Sequence, residues 1–553
     1  MASKELPSEA ELAAAQDGAQ ASTCETKGKV SQTSQTRSDH SPEEKPPVVR
    51  LFTLVLGMAL ALFICAFDGS VIPTLLPTLA KDFKTVQDTG WYGSAFLFAM
   101  GAAQPALGKI YGEFSVRITY VVSAVIFAVG SILCALSKSS GMFIASRALA
   151  GLGSGGMTTG TTIISYHVLP ERLFPLCNGL VGAFEASATI VGPIIGGTMA
   201  DGIGWEWVFW INLPVSAIAI TLVVVLYPGL KRFDHAPMNP NSPASTMREK
   251  FERLELVGGI LLAGSILMLL FGVHDAGGSS TARTIGLLVG SGVLLLITVC
   301  HQHFLKDKAT YPTRLFLNRY FVAPLLYGFF MKGSEAVVYY LLPVWFQTVK
   351  CSSAGTAAVQ LLPSLIALIV ASIITGIGAS ATRRIAPFMV TGAVIASAGA
   401  LLLHYLDPDA GSPKWIGYQV AYGFGCGIGL QLSLVGVQTA LNAKDVPFGS
   451  SVAILSRILG SAIFIFVGQK VYLDRLGTLA NADELSPCES VVPSQLRAVL
   501  STYNEATAKG MIVAVVLIFA AIPSAIGVNW ARLESSKSQS AEKDDSESGS
   551  ASK

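Results

Sequence analysis

Runs of about 20 apolar residues recur along this chain, and a helix of that length spans the roughly 30 Å hydrocarbon core of a bilayer. They succeed one another between positions 51 and 530. Charged residues make up 13% of the 553 residues, against about 25% in a soluble domain. They are dense in the two polar ends. The pattern predicts an all-α protein that crosses a membrane many times.

Fourteen membrane spans are predicted, with short connections between most of them. They cover 51–73, 90–110, 118–137, 141–165, 176–200, 206–227, 256–274, 284–304, 321–346, 357–378, 386–406, 415–439, 449–470 and 510–530. An even number of spans puts both ends of the chain on one side of the membrane. The loop at 228–255 carries more bases than acids, and the loop at 471–509 carries more acids than bases. The positive-inside rule therefore predicts that 228–255 and both ends are cytoplasmic.

The two ends are predicted to be disordered cytoplasmic tails. Residues 1–49 and 532–553 are rich in Ser, Glu and Lys, and neither segment contains an apolar run. Such segments cannot bury enough apolar surface to fold. Cys351 and Cys488 both fall in predicted outer loops, so a disulfide between them is compatible with this topology.

One predicted span contains a stretch that a helix in water would not tolerate, "IVGPIIGGTMAD" at 190–201. Each interior Gly costs about 1 kcal/mol relative to Ala, and Pro costs about 3 kcal/mol. In a bilayer, neighbouring groups can satisfy the freed backbone, and small residues let helices approach closely. The stretch is therefore interpreted as a flat, bendable contact face.

The spacing of small residues around this stretch resembles the antiporter motif of the major facilitator superfamily. Ala188 stands where that motif often has a second Gly. The positions that match the motif are Gly179, Gly192, Pro193, Gly196 and Gly197. In the family, this kinked helix packs at the interface between two bundles and is associated with export.

Further stretches resemble the same family, in the fourteen-helix drug:proton antiporter branch. They are "FDGSVIPTLLPTLAKDF" at 67–83, "FIASRALAGLGSGG" at 143–156, "WEWVFWINLP" at 205–214 and "GKIYGEFSVR" at 108–117, where Gly112 replaces the usual Asp. The resemblance implies a major facilitator fold with two six-helix bundles, at 50–227 and 305–531. Two inserted helices lie between them, at 256–304. The chain is most similar to fungal members that export secondary metabolites, toxins or drugs.

Three ionisable residues inside predicted spans are candidates for proton coupling: Asp68, Arg147 and Glu185. A charge at the membrane centre costs at least about 2.5–3.5 kcal/mol, so each needs a reason. The family motif implies a role for Arg147 in proton transfer. Glu185 can hold a proton, because desolvation disfavours the charged carboxylate. The structural alternatives are a cap for Asp68, an anchor for Arg147 and a protonated interhelical bond for Glu185.

Four polar residues are candidates for substrate binding: Gln104, Lys332, Glu335 and Gln431. Lys332 and Glu335 are three apart and share a helix face, so they can neutralise each other instead. The glutamines can equally be interhelical contacts. Five aromatic residues are assigned to the interfacial belt rather than to substrate stacking. They are Trp91, Tyr92, Tyr339, Tyr340 and Trp345.

No nucleophile–base pair, phosphate-binding loop or metal-binding cluster is recognisable, so no enzymatic activity, cofactor or metal is expected. The chain is predicted to be a proton-coupled exporter of a small, fairly apolar molecule. Its expected partners are that substrate, protons and the lipid bilayer, with no nucleic acid, and it is expected to be a monomer in the plasma membrane. A location in a vacuolar or vesicle membrane is the alternative. The alternatives are a vacuolar transporter of basic amino acids, a siderophore transporter, and a non-transporting membrane sensor or enzyme.

Overall fold

The computed structural model describes residues 48–85, 88–224, 256–275, 281–305, 313–442, 445–477 and 493–531. Within these ranges the chain is helical and forms no β-strand. The first eight helices are α1 Val48–Ser70, α2 Ile72–Asp82, α3 Thr89–Glu113, α4 Val116–Ala135, α5 Ser140–Val168, α6 Phe174–Gly202, α7 Glu206–Trp210 and α8 Asn212–Val224. The next are α9 Leu256–Asp275 and α10 Thr281–Leu305. The remainder are α11 Thr313–Phe316, α12 Arg319–Thr348, α13 Ala354–Gln360, α14 Leu362–Thr382, α15 Ala386–His404, α16 Ser412–Gly429, α17 Leu432–Thr439, α18 Val446–Gly477 and α19 Pro493–Ile526.

Every predicted span coincides with a helix, or with two helices separated by a short break. Breaks divide α1 from α2, α7 from α8, α13 from α14 and α16 from α17. Eleven helices of the described part are long and apolar enough to cross a membrane. The all-α membrane fold is therefore confirmed. The count of fourteen spans stays a prediction, because α3, α5 and α9 are not among those eleven.

Helices α1 to α8 form the N-terminal bundle, in which glycines permit very close helix packing. A Cβ on Gly153 of α5 would lie 2.3 Å from the backbone nitrogen of Phe127 in α4. A Cβ on Gly151 would lie 2.1 Å from the carbonyl oxygen of Phe96 in α3. Both faces of α5 therefore need hydrogen in place of a side chain, as expected where packing rather than apolar burial associates helices in lipid.

Helices α12 to α19 form the C-terminal bundle, with α16 at its centre. A Cβ on Gly423 would lie 2.0 Å from the carbonyl oxygen of Ser364 in α14. One on Gly425 would lie 2.2 Å from the backbone nitrogen of Ala396 in α15. Alternate glycines thus let two neighbouring helices touch the backbone of α16 from different sides.

The inserted helices α9 and α10 pair with each other through two serines. The hydroxyls of Ser265 and Ser291 each donate to the carbonyl oxygen of the other residue, both at 2.9 Å. Phe271 of α9 packs against Trp91 of α3, with ring centroids 5.2 Å apart. Helix α9 also packs against α18. The inserted pair therefore lies beside both bundles.

Helices α18 and α19 extend into the segment predicted as an outer loop, 471–509. Helix α18 continues to Gly477 and α19 begins at Pro493. An ion pair of 2.5 Å between Arg475 and Glu505 joins these extensions. Helical turns outside the bilayer keep their charges in water, and apolar content alone does not reveal them. Residues 478–492 lie outside the described residues.

Several other predictions can be compared with the helices. The tails and the 228–255 loop lie outside the described residues, except that α1 begins at Val48. Cys351 is disulfide-bonded, and Cys488 lies outside the described residues. The assignment of Tyr92 and Trp345 to the interfacial belt is wrong, because these residues are 0% and 1% exposed. Trp345 instead donates to Asn504 at 2.7 Å inside the C-terminal bundle.

The side of the membrane at which α1 begins is here called the tail side, because residues 1–47 precede it, and the opposite side is called the far side. If all fourteen predicted spans cross the membrane, consecutive spans alternate in direction. Helices α6 and α18 therefore also begin at the tail side, whereas α3, α5, α14 and α17 end there.

Candidate functional site

The first buried charge cluster joins three helices in the far-side half of the N-terminal bundle. Asp68 lies near the end of α1, Arg147 in α5 and Asn212 at the start of α8. Arg147 Nη1 forms an ion pair with Asp68 Oδ2, and Asn212 Nδ2 donates to Asp68 Oδ1 at 2.8 Å. Both carboxylate oxygens of Asp68 therefore accept hydrogen bonds.

The remaining donors of Arg147 are also engaged. Its Nε donates to the carbonyl oxygen of Tyr92 at 3.0 Å, and its Nη2 donates to the carbonyl oxygen of Asp68 at 3.3 Å. The guanidinium lies over the ring of Phe96, 4.6 Å from its centroid. The ion pair neutralises two charges that have left water. This geometry fits a structural anchor as well as an element of proton coupling.

Asn212 was missed by the sequence analysis, although it lies in the quoted "WEWVFWINLP" stretch. It is 0% exposed and also donates to Ser131 of α4 at 3.2 Å. It therefore ties α8 to both α1 and α4. The sequence pattern that could have identified it is an amide followed by a long apolar run. A lone Asn at the start of a membrane span needs a hydrogen-bond partner.

The second cluster lies at the membrane centre, where the two bundles meet. Gln431 Nε2 donates to Glu185 Oε2 of α6 at 3.4 Å, and Arg457 Nη1 of α18 donates to Gln431 Oε1, also at 3.4 Å. Glu185 is half-buried, and Gln431 and Arg457 are buried. The structure thus brings a predicted proton-coupling residue next to a predicted substrate-binding residue.

Arg457 is a second residue that the sequence analysis missed. It is a charge inside the predicted span 449–470, and the membrane cost applied to Arg147 applies equally to it. That cost was the signal that could have identified it. The charge of Arg457 acts on Glu185, as does the charge of Lys332.

Lys332 and Glu335 lie in α12 beside this centre. Lys332 Nζ is 2.5 Å from Glu335 Oε2, and the two side chains are 27% and 9% exposed. They therefore neutralise each other, as their spacing allowed, and Lys332 keeps part of its surface accessible. Their role in substrate binding stays a prediction.

Gln104 lies apart from the other predicted substrate-binding residues. Its Oε1 accepts from Thr159 of α5 at 2.8 Å, and Gln104 is 0% exposed. The contact joins α3 to α5 inside the N-terminal bundle. The structure thus brings Gln431, Lys332 and Glu335 into one region and places Gln104 elsewhere.

The glycine motif of α6 makes two different kinds of contact. A Cβ on Gly179 would lie 2.5 Å from the carbonyl oxygen of Ser372 in α14, across the boundary between bundles. A Cβ on Gly192 would lie 2.1 Å from Ser70 Oγ, and one on Gly196 would lie 2.3 Å from Val71 Cγ2. Those two glycines therefore pack against the break between α1 and α2, within their own bundle.

Helix α6 thus contacts the other bundle at Gly179 and its own bundle at Gly192 and Gly196, and the role of the motif in transport stays a prediction. Nothing lies within 4 Å of a Cβ built on Gly197. Pro193 lies inside α6, which is continuous from Phe174 to Gly202.

Contacts between the bundles close the tail side. The backbone N–H of Leu176 donates to Ser380 Oγ at 3.1 Å, which joins α6 to α14. Gln438 Nε2 of α17 donates to the carbonyl oxygen of Thr162 at 2.8 Å. A Cβ on Gly108 of α3 would lie 3.2 Å from Cα of Phe448 in α18. Three pairs of helices therefore meet below the central cluster.

Residues 58–465 match the model of the Major Facilitator Superfamily, which is more than half of the chain. The chain belongs to the major facilitator superfamily.

Relatives within the superfamily come from fungi. The chain is 38% identical over 458 residues to "Efflux pump apf11" of Gibberella fujikuroi, which covers 82% of this chain and 80% of that protein. It is 33% identical over 520 residues to "MFS-type transporter TOXA" of Cochliobolus carbonum, covering 90% and 93%. It is 32% identical over 510 residues to the "Aspyridones efflux protein" of Neocamarosporium betae, covering 89% of each chain.

Solved structures of the superfamily share the fold. The human organic anion transporter MFSD10 aligns with a TM-score of 0.55 at 16% identity, over 86% of this chain and 100% of that one. The proton:xylose symporter XylE aligns with a TM-score of 0.54 at 14% identity, over 88% and 98%. Membership of the superfamily and the efflux-pump relatives make this chain a multi-pass membrane transporter and not an enzyme.

Proposed function

We propose that this transporter is a proton-coupled efflux pump of the fungal plasma membrane. Its cargo is a small, fairly apolar molecule such as a secondary metabolite, toxin or drug. The names of its fungal relatives, which include an efflux pump and the efflux protein of aspyridones, support this direction and cargo class. The observation that carries the proposal is Glu185, an acid at the junction of the two bundles.

Glu185 is the proposed proton carrier. It lies in the N-terminal bundle, and its contact with Gln431 belongs to the C-terminal bundle. A proton on Glu185 therefore changes an interaction between the two moving parts, as coupling requires. Asp68 has both oxygens engaged by Arg147 and Asn212, so its proposed part is to stabilise the helices that hold Glu185.

We assign the conformation described here, in which contacts join the two bundles at the tail side, to the outward-facing stage of the proposed cycle. The positive-inside prediction makes the tail side cytoplasmic, and contacts such as Leu176 to Ser380 hold that side together. In the proposed cycle, a proton from outside binds Glu185 and the bundles rock about the central site. The proton then leaves to the cytoplasm, cargo binds, and the reverse motion carries the cargo out.

The central cluster favours an apolar or weakly polar cargo over a basic one. Lys332 and Arg457 bring two positive charges to the region where cargo binds in the proposal. Glu335 pairs with Lys332, and Glu185 is connected to Arg457 through Gln431. Neither acid is therefore free to bind a basic amino acid, which speaks against the vacuolar alternative. We propose that Gln431, Lys332 and Glu335 contact the polar part of the cargo. We propose that Gln104, which lies apart from this cluster, contacts the cargo in another conformation of the transporter.

Transport by the purified protein tests this proposal. The protein is reconstituted in liposomes, and a panel of apolar fungal metabolites and dyes is offered under an imposed pH gradient. Accumulation of a panel member that collapses when a protonophore dissipates the gradient is the expected result. Accumulation of basic amino acids or ferric siderophores instead, or no response to the gradient with any compound, would contradict the proposal.

A further inference from the structure

The contact between Glu185 and Gln431 is one step of a chain that crosses from one bundle to the other. Gln431 Nε2 approaches Glu185, and Gln431 Oε1 accepts from Arg457, each at 3.4 Å. Gln431 and Arg457 are 8% and 9% exposed. One amide side chain thus connects an acid of α6 with a guanidinium of α18.

A notch in α6 receives the side chain of Gln431. A Cβ on Gly182 would lie 2.4 Å from Gln431 Nε2 and 2.5 Å from Gln431 Cγ. Gly182 precedes Glu185 by three residues, so both lie on one face of the helix. The amide can reach Glu185 only because position 182 has no side chain.

Gln431 occupies the break between α16 and α17, and the short helix α17 leads from it to the tail side. At the other end of α17, Gln438 donates to Thr162 of the N-terminal bundle at 2.8 Å. Both ends of α17 therefore contact the N-terminal bundle while the tail side is closed. When the tail side opens, the side chain of Gln431 has to leave the notch at Gly182.

Two bases act on Glu185, Lys332 most strongly and Arg457 next, and their other partners distinguish them. From α12, Lys332 already pairs with Glu335 at 2.5 Å. From α1, Asp68 pairs with Arg147 and Cys65 presents only a thiol. Helix α14 has no ionisable residue between Leu362 and Thr382. In the described part of the chain no acid forms a salt bridge with Arg457, and its charge acts on Glu185.

We propose that Gln431 and Arg457 are positioning residues that hold the tail side closed while Glu185 is ionised, and that protonation of Glu185 releases this contact. The inference rests on the proposed function. An ionised carboxylate strengthens the hydrogen bonds it accepts, and a neutral one loses its attraction to the guanidinium. The transporter then cannot return inward until it has bound a proton from outside, which prevents uncoupled turnover.

Spin labels across the tail-side contact test this inference directly. Arg172 and Thr382 are both exposed there, so Arg172→Cys and Thr382→Cys are labelled in a background in which Cys24 and Cys300 are replaced by Ala. Distances between the labels are measured by pulsed electron paramagnetic resonance in nanodiscs over a pH titration. The wild-type pair is expected to be short at alkaline pH and long at acidic pH. Glu185→Gln is expected to give the long distance at every pH.

Gln431 and Arg457 are here called the relay, and substitutions at either residue are expected to abolish the change in label distance with pH. Arg457→Ala and Gln431→Met should lower the ratio of closed to open protein at alkaline pH about tenfold, as loss of a hydrogen bond to a charged group implies. Arg457→Lys keeps the charge and should restore part of the response. Arg475→Ala in the same helix and Gln419→Met in α16 are the matched controls, and both should behave as wild type.

The outcomes separate the inference from the proposed function. If well-folded Arg457→Ala opens with pH as the wild type does, the relay has no positioning role. A variant that only unfolds at lower temperature, with its pH response unchanged, also counts against it. If the wild type shows no transport driven by a pH gradient, the proposed function fails, whatever the label distances show.

Discussion

Arg147 of α5 and Asp68 of α1 form an ion pair that water does not reach, with side chains 0% and 1% exposed. Removing one partner of such a pair leaves an uncompensated buried charge, whereas removing both leaves none. Single and double substitutions at these positions therefore have different consequences, and the difference separates a structural role from a role in coupling.

Arg147→Ala is expected to destabilise the protein by about 3–5 kcal/mol, because Asp68 would stay buried without its partner. Arg147→Lys keeps the charge but loses the planar fork that reaches Asp68 and Tyr92 together, so transport should weaken without disappearing. Thermal unfolding in detergent and vesicle transport are the measurements. The double variant Asp68→Asn/Arg147→Gln is the control. If it recovers both stability and transport, the pair is purely structural.

Substitutions of Asn212 should follow a definite order. Asn212→Ala removes the donor to Asp68 and should cost about 1–3 kcal/mol, the usual cost of an unmet buried group. Asn212→Asp would bring a second carboxylate against Asp68, so it should be the less stable variant of the two. Melting temperatures of purified protein give the order. An Asn212→Asp protein as stable as Asn212→Ala would contradict a repulsion between two ionised carboxylates at this site.

Gly196→Leu and Gly197→Leu form a matched pair of neighbouring substitutions. A side chain at 196 meets Val71 at 2.3 Å, whereas nothing lies within 4 Å of a Cβ at 197. Gly196→Leu should therefore push α6 from the α1–α2 break and block transport, with the protein still inserted in the membrane. Gly197→Leu should transport nearly as well as the wild type. Equal activity of the two variants would refute a requirement for small size at 196.

The topology has its own test in cysteine labelling. Position 240 is expected to be cytoplasmic and position 484 to be outside. A membrane-impermeant thiol reagent is applied to intact cells that express Pro240→Cys or Glu484→Cys without other exposed cysteines. Labelling of 484 alone is expected, and both should react after permeabilisation. Strong labelling of 240 in intact cells, with none at 484, would invert the orientation and make the tail side extracellular.

The helices were predictable because lipid permits few backbone arrangements. All backbone groups in a span need internal partners, so apolar length alone located a helix at every predicted span. It did not locate α11 or most of α2, which lie outside the predicted spans. Helix ends in water were less predictable, since α18 and α19 continue on charged residues such as Arg475 and Glu505. Aromatic residues near span ends were ambiguous, and Trp345 is buried where an interfacial position was expected.

The members of the candidate site were partly predictable, whereas their pairing was not. The cost of burying charge singled out Asp68, Arg147 and Glu185, and it would have singled out Arg457 as well. The contact between Glu185 and Gln431 joins residues 246 positions apart. No local pattern encodes such a distance, because it depends on how the two bundles meet. The notch at Gly182 was equally invisible, since Gly is frequent in every span.

The central claim is that Glu185 carries the proton that drives export. Glu185→Gln keeps the shape and hydrogen-bonding reach of the protonated acid but cannot release a proton. The most direct measurement compares uptake of a transported compound into inside-out vesicles under a pH gradient with equilibrium binding of the same compound, in wild type and Glu185→Gln. The account predicts that the variant still binds the compound and that its gradient-driven uptake is lost. Wild-type-like driven uptake by Glu185→Gln would contradict the account and leave Asp68 or Glu335 as the carrier.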